Sequence, residues 1–313
     1  MKTFHCMSQE RLAELLVGFR RVRVAVVGDF FLDKYLDVDP ALAELSVETG
    51  KTAHQVVTVR HSPGAAGTVT SNLLALGPAS VSAVGFTGED GESYDMRRDL
   101  AALGCKTDNL HIDVERMTPT YLKPRDVNDA SLAGEHSRYD TKNRTPTSLA
   151  TQQQIIRSIE ALLPQVDAVV VQDQATEPEC GVVTTAIREF LAQIAPRWPK
   201  VVFFADSRCR IKLFRNMIIK PNQFEAIGND YPAPGDEVSS EELDKALVAM
   251  KAMTGAPIFV TRGPKGIFVA DHDMTAVPGV RVEGPIDSTG AGDSVTAGTA
   301  LALAAGGAPP EAA

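Results

Sequence analysis

Positive charge is in short supply in this chain: 31 Lys and Arg stand against 40 Asp and Glu, giving a net charge of −9 and a pI near 5.2. So acidic a protein lacks the basic footprint that nucleic acid or an anionic membrane surface requires, and neither partner is expected. Cysteine is scarce too. Cys6, Cys105, Cys180 and Cys209 show neither paired nor metal-ligand spacing, which excludes a disulfide framework and a zinc cluster and fits reduced thiols in a cytoplasm. Long apolar runs are missing: the longest late one, residues 295–305, is too short to span a bilayer, and "MKTFHCMSQERLAELL" contains no signal-peptide core. No repeat or low-complexity linker divides the chain. Two nucleotide fingerprints are also lacking. Gly85, Gly88 and Gly91 recur at three-residue intervals, not as G-x-G-x-x-G, which argues against a nicotinamide dehydrogenase. In "ETGKT" (residues 48–52) Leu45 occupies the place of the first P-loop glycine, and a strand pattern follows instead of a helix.

What is present is an ordinary globular composition, 44% hydrophobic and 23% charged over 313 residues, enough for one large α/β domain. Continuous apolar runs such as Val24 to Val27, "DAVVVQD" and "KVVFFAD" predict strands buried on both faces, and helical periodicities alternate with them. The expected fold is therefore α/β, a doubly wound, mainly parallel sheet with helices on both faces. Residues 36–62 and 109–140 are shorter, β-branched and more polar; they read as a small β-rich excursion, a lid. Asp29, Asp173 and Asp206 each end a predicted strand, at the edge where open α/β sheets bind ligands.

The densest chemistry lies in "DSTGAGD", residues 287–293, where a loop becomes a helix. Gly290 and Gly292 allow close backbone approach, and the first helical N–H groups form a ready anion site. Asp293 beside them can cap the helix, or take the proton of a hydroxyl attacking a bound phosphate. A second glycine-rich loop, "SPGAAG", also runs into a helix.

Taken in order, these motifs resemble the ribokinase-like (phosphofructokinase-B type) carbohydrate kinases over nearly the whole chain. "DSTGAGDSVTAG" is similar to that family's C-terminal signature, "PNQFE" to its N-x-x-E element, and "VTRGPKG" to its nucleotide-side loop. Within the family, "VVGDFFLDKY" and "VGFTGEDG" look most like bacterial heptose-7-phosphate kinases. The resemblance implies an ATP- and Mg²⁺-dependent kinase acting on a sugar or sugar phosphate in the cytoplasm, with a monovalent cation among the family's cofactors and dimer formation through the lid edge. It assigns Asp293 as base, with the amides of Ala291, Gly292 and Asp293 as the anion hole and Gly290 beside them in the catalytic loop. Asn222 and Glu225 would act on Mg²⁺ through water, and Thr261, Gly263 and Gly266 would line the nucleotide. Asp29, Asp33, Gly64, Ala65 and Thr68 would meet the sugar.

Three departures stand beside the resemblance. Thr68 replaces the asparagine of a G-G-A-A-N loop, and "QDQATEPE" (residues 172–179) replaces a Lys-Gly pair with two carboxylates. The chain also ends about twenty residues beyond Asp293, where family members continue, so either a C-terminal truncation or an incomplete purine site is expected. These departures keep a second reading open, a catalytically weak sugar- or nucleotide-binding regulator of the same fold. Convergence of Lys34, Lys51, Arg125 and Arg138 near the cleft would mark a phosphorylated acceptor, and dispersal a neutral sugar.

Overall fold

The computed structural model describes residues 2–129, 131–229, 231–233, 235–280, 284 and 289–313. Asp287 and Ser288 of the glycine-rich signature lie outside them. In chain order the elements are β1 (Lys2–Thr3), α1 (Gln9–Phe19), β2 (Arg23–Gly28), β3 (Phe30–Leu45), β4 (Thr52–Ala65), α2 (Ala66–Leu76), β5 (Ser80–Thr87) and α3 (Gly91–Ala102). There follow β6 (Lys106–Ile112), β7 (Thr120–Asp126), β8 (Tyr139–Thr141), α4 (Leu149–Leu162), β9 (Ala168–Asp173), α5 (Thr185–Ile194), β10 (Val202–Ser207) and β11 (Ile218–Ile219). The last are α6 (Gln223–Ile227), α7 (Ser240–Thr254), β12 (Ile258–Thr261), β13 (Ile267–Ala270), β14 (Met274–Val277), α8 (Ala291–Ala304) and α9 (Pro309–Ala312).

Among the described residues ten strands form one sheet in the order β1-β14-β13-β12-β11-β10-β9-β2-β5-β6, and β13 alone of these runs against the others. The apolar runs are buried on both faces because consecutive residues feed two different cores. Ala25, Val27, Val169, Val171, Phe203 and Ala205 pack with Ile155 and Ile159 of α4, Ile187 of α5 and Leu247 of α7. Val24, Val26, Ala168, Val170 and Phe204 pack on the opposite side with Phe19 of α1, Leu73 of α2 and Ala300 of α8. The expected doubly wound sheet is thus borne out.

Helix starts follow local chemistry. Ser8 accepts from the Arg11 amide at 3.1 Å to open α1, and Ser239 with Glu242 closes a capping box on α7. Helix α5 begins at Thr185 because the Thr184 side chain accepts from the Ile187 amide at 3.3 Å.

The small sheet has the order β4-β3-β7-β8. It reaches further in on its first arm than residue 36, since Phe30 already pairs with Ala65. On its second arm it starts later than residue 109: Asn109–Ile112 still belongs to β6 in the large sheet, and the small sheet resumes at Thr120. "ETGKT" falls on the β3–β4 turn and the start of β4, with Gly50 at φ +67°. Among the described residues no helix is long and apolar enough to cross a membrane.

Candidate active site

Strands β2, β9, β10, β11 and β12 all point their carboxyl ends at one edge of the large sheet, and the N-terminus of α8 arrives there. Gly290 precedes the helix at φ +76°, a left-handed conformation costly for any residue with a Cβ. The amides of Ala291, Gly292 and Asp293 belong to the first turn and lack intrahelical acceptors, so they face the edge as donors at the positive end of the dipole. Asp293 is partly buried. Burial and the nearby Asp206 push its carboxyl up to about 6, against the opposing pull of Lys220.

Lys220 is the residue that sequence reasoning missed. It follows β11, is almost wholly buried, and its Nζ lies 2.9 Å from Asp206 Oδ2. A Cβ placed on Gly292 would sit 3.5 Å from that ammonium, so the cation adjoins the helix start. A lone lysine between "MII" and "PNQFE" was the available signal.

Asn222 and Glu225 meet Thr261 beside this cation: Asn222 bridges Thr261, whose amide donates to Pro221 O at 3.0 Å. The pair forms a capping box on α6. Asn222 Oδ1 accepts from the amides of Phe224 and Glu225 at 2.8 and 2.9 Å, and Glu225 Oε2 accepts from the Asn222 amide at 2.7 Å. Spacing that suggested metal chemistry therefore also has a local structural cause. Beyond Thr261, Gly263 and Gly266 bracket a tight turn at φ +55° and +86°. A Cβ on Gly266 would come 2.1 Å from Val277 O, so glycine is what lets this turn close against the end of β14.

On the other side, Gly64 is pressed against Asp33: a Cβ there would lie 2.9 Å from Asp33 Oδ2. Asp33 pairs with Lys123 at 2.8 Å on the adjacent strand of the small sheet. Ala65 carries φ +54° and ψ −117°, a strained conformation for a residue with a side chain. Thr68, one turn into α2, faces Gly290, and Asn72 donates to Ser294 Oγ at 3.2 Å, so the two glycine-rich loops stand together.

Asp29 has a structural task in the fold. It is 4% exposed, and both its oxygens are engaged by main-chain amides: Gln174 and Ala175 on Oδ2, each at 2.8 Å, and Val182 on Oδ1 at 2.7 Å. It clamps the loop after β9. Burial and Asp173 push its carboxyl up to about 6, against the three amides. Asp173 is engaged likewise, by Arg210 at 2.6 Å and Ser207 Oγ at 2.7 Å. Of the three strand-end aspartates, only Asp206 faces the helix start.

The four cations do not converge. Lys34 pairs with Glu92 at 2.9 Å, and Lys51 sits just past the β3–β4 turn. Arg125 lies in register with Asp37, and Arg138 stacks over Tyr121 at 4.6 Å; both share the face of Asp33 and Lys123.

The model of the pfkB family of carbohydrate kinases matches residues 23–313. The chain belongs to that family. This pfkB protein is 30% identical over 296 residues to the bifunctional protein HldE of Desulfatibacillum aliphaticivorans, covering 92% of this chain and 56% of the relative. It is 31% identical to the HldE of Caulobacter sp. strain K31, with 97% and 59% covered. The chain thus spans somewhat more than half the length of these relatives. Among solved structures, a Thermotoga maritima ribokinase superposes with a TM-score of 0.62 at 18% identity, covering 93% of this chain and 89% of that one. Escherichia coli phosphofructokinase-2 in complex with fructose-6-phosphate gives 0.61 at 16% identity, with 92% and 88% covered. These likenesses bear out the expected class, an ATP-dependent carbohydrate kinase on a ribokinase-like fold.

Proposed function

We propose that this pfkB protein transfers the γ-phosphoryl group of ATP to a hydroxyl of a sugar or sugar phosphate, heptose 7-phosphate being the candidate that the resemblance of "VVGDFFLDKY" and "VGFTGEDG" suggests. The single observation that carries the reading is the start of α8, where a carboxyl raised to about 6, free helix amides and a buried ammonium adjoin. At neutral pH Asp293 is ionised yet basic enough to accept a proton. In the transfer, the acceptor O–H proton passes to Asp293 as its oxygen bonds to the γ-phosphorus. The bond from that phosphorus to the β,γ-bridging oxygen breaks, and ADP departs with the electron pair. The amides of Ala291 and Gly292 and the Lys220 ammonium stabilise charge on the phosphoryl oxygens.

Mg²⁺ fits the residues present: it keeps most of its waters and needs one or two carboxylates plus substrate phosphates, which suits a single Glu225 acting through water near Asn222. When bound it neutralises phosphate charge. Gly263 and Gly266 shape the nucleotide side, while Asp33, Gly64, Ala65 and Thr68 form the acceptor side. The dispersal of Lys34 and Lys51 from Arg125 and Arg138 favours a neutral sugar, while Lys123, Arg125 and Arg138 on the Asp33 face are the cations a phosphorylated one would meet. Strand β4 is an outer strand of the small sheet and exposes Val56, Val57 and Val59, a surface suited to edge pairing with a second copy. Four free cysteines agree with a reducing cytoplasm.

ADP release measured with ATP and MgCl₂ across heptose 7-phosphate, fructose phosphates, ribose and nucleosides tests the reading. Fastest turnover is expected with heptose 7-phosphate. ATP binding without ADP release on any acceptor would instead leave a binding protein.

A further inference from the structure

Burying a lysine at the positive end of a helix is unfavourable twice over, through desolvation and through the dipole. Lys220 is 5% exposed and sits there regardless. Its main chain is fixed, the amide donating to Ala205 O at 3.0 Å and Pro221 following. Its ammonium is held by one contact among the described residues, Asp206 Oδ2 at 2.9 Å. The same oxygen accepts from Thr296 Oγ1 at 3.2 Å, one turn beyond Gly292, and that hydroxyl also lies 3.1 Å from Gly292 O. One carboxylate oxygen therefore ties the end of β10, the exit of β11 and the first two turns of α8.

We infer that Asp206 is a positioning residue for phosphoryl transfer, holding the Lys220 ammonium at the start of α8 where the transferring group must bind. The inference rests on the kinase reading above. A pair needed for stability alone gains nothing from this placement, since apolar residues of similar volume stabilise a core as well or better. Here the pair adjoins Gly292, and its two members are the charged groups that act on Asp293. The residues α2 presents to this turn, Thr68 and Asn72, are uncharged. An arriving phosphoryl group gives the ammonium a second anionic partner while Asp206 keeps it from swinging out.

The test compares Asp206→Asn, Lys220→Met and the double variant, each checked by thermal melting and ADP titration for an intact fold and nucleotide site. With ATP and the best acceptor of the panel, each single variant is expected to lose about 10²-fold in kcat, as for removal of one preorganised charge-stabilising group. The double variant is expected to lose no more than Lys220→Met alone, because Asp206 acts through the lysine. The acid limb of the pH–rate profile should move down in Asp206→Asn, where the carboxylate that raises Asp293 is gone, and up in Lys220→Met. Losses that multiply in the double variant, or a folded Asp206→Asn with wild-type kcat and pH profile, would overturn the inference. A wild-type protein that turns over no acceptor would sink the kinase reading itself, and this inference with it.

Discussion

At pH 8 an Asp293→Asn variant should melt higher than the wild-type protein while losing its turnover. The Asp293 carboxyl titrates near 6 in the fold against an ordinary value of 3.8, raised by burial and by Asp206. About two pH units correspond to ~3 kcal/mol at 1.36 kcal/mol per unit, and partial exposure brings the usable figure to about 1–3 kcal/mol. The sign follows from proton counting: between the two values the folded state holds the proton and the unfolded state does not, so stability falls as pH rises from about 4 to about 6. Above 6 the full penalty is present in the wild type and absent in the variant. At ~2 °C per kcal/mol for a chain of this size, Asn should raise the midpoint by about 2–6 °C at pH 8, with the gap closing towards pH 5. Melting followed by the single Trp198 at pH 5, 6.5 and 8 measures it. The same variant should lose ~10²- to 10⁴-fold in kcat with ADP affinity unchanged. A midpoint at or below wild type at pH 8, or an offset independent of pH, would refute the electrostatic account of Asp293.

Two further substitutions probe the neighbouring loops. Asp29→Ala strands the amides of Gln174, Ala175 and Val182 in a buried place; at ~1–3 kcal/mol for each orphaned donor the loss should exceed about 3 kcal/mol. Denaturant unfolding reads the loss, and a change under 1 kcal/mol would contradict the clamp. Ala65→Gly relieves a strained φ of +54°, worth ~1–3 kcal/mol against ~0.5–1 kcal/mol of added chain entropy. A midpoint rise of about 2 °C is expected, and an unchanged or lower midpoint would show that Ala65 is unstrained.

The large sheet was legible because its strands announce themselves: Val24 to Val27 or "DAVVVQD" can be satisfied only with apolar partners on both faces. The start of α8 was legible because its glycines are spaced for one backbone purpose. The Asp29 clamp was hidden because its partners lie in a loop 145 positions away and are amides, which carry no side-chain signature. The capping box of Asn222 and Glu225 was hidden because it shares one spacing with a hydrated metal site. Lys220 was passed over because burial, which makes it notable, cannot be read from "IIKPN". The cations of the small sheet sort onto faces only once register is known, since one residue's slip reverses a strand.

The Asp29 clamp also orders the making of the molecule. It joins the end of β2 to a loop 145 positions later, and the site is finished only by α8, which starts at Ala291. Contacts so distant along the chain form slowly and late. When the first half of this chain has been made, β2 still stands without β9, its partner in the finished sheet, and Asp29 without the amides it will hold. The growing chain closes its sheet from the middle outwards only after Asp173 has been added, and the edge that α8 completes comes last.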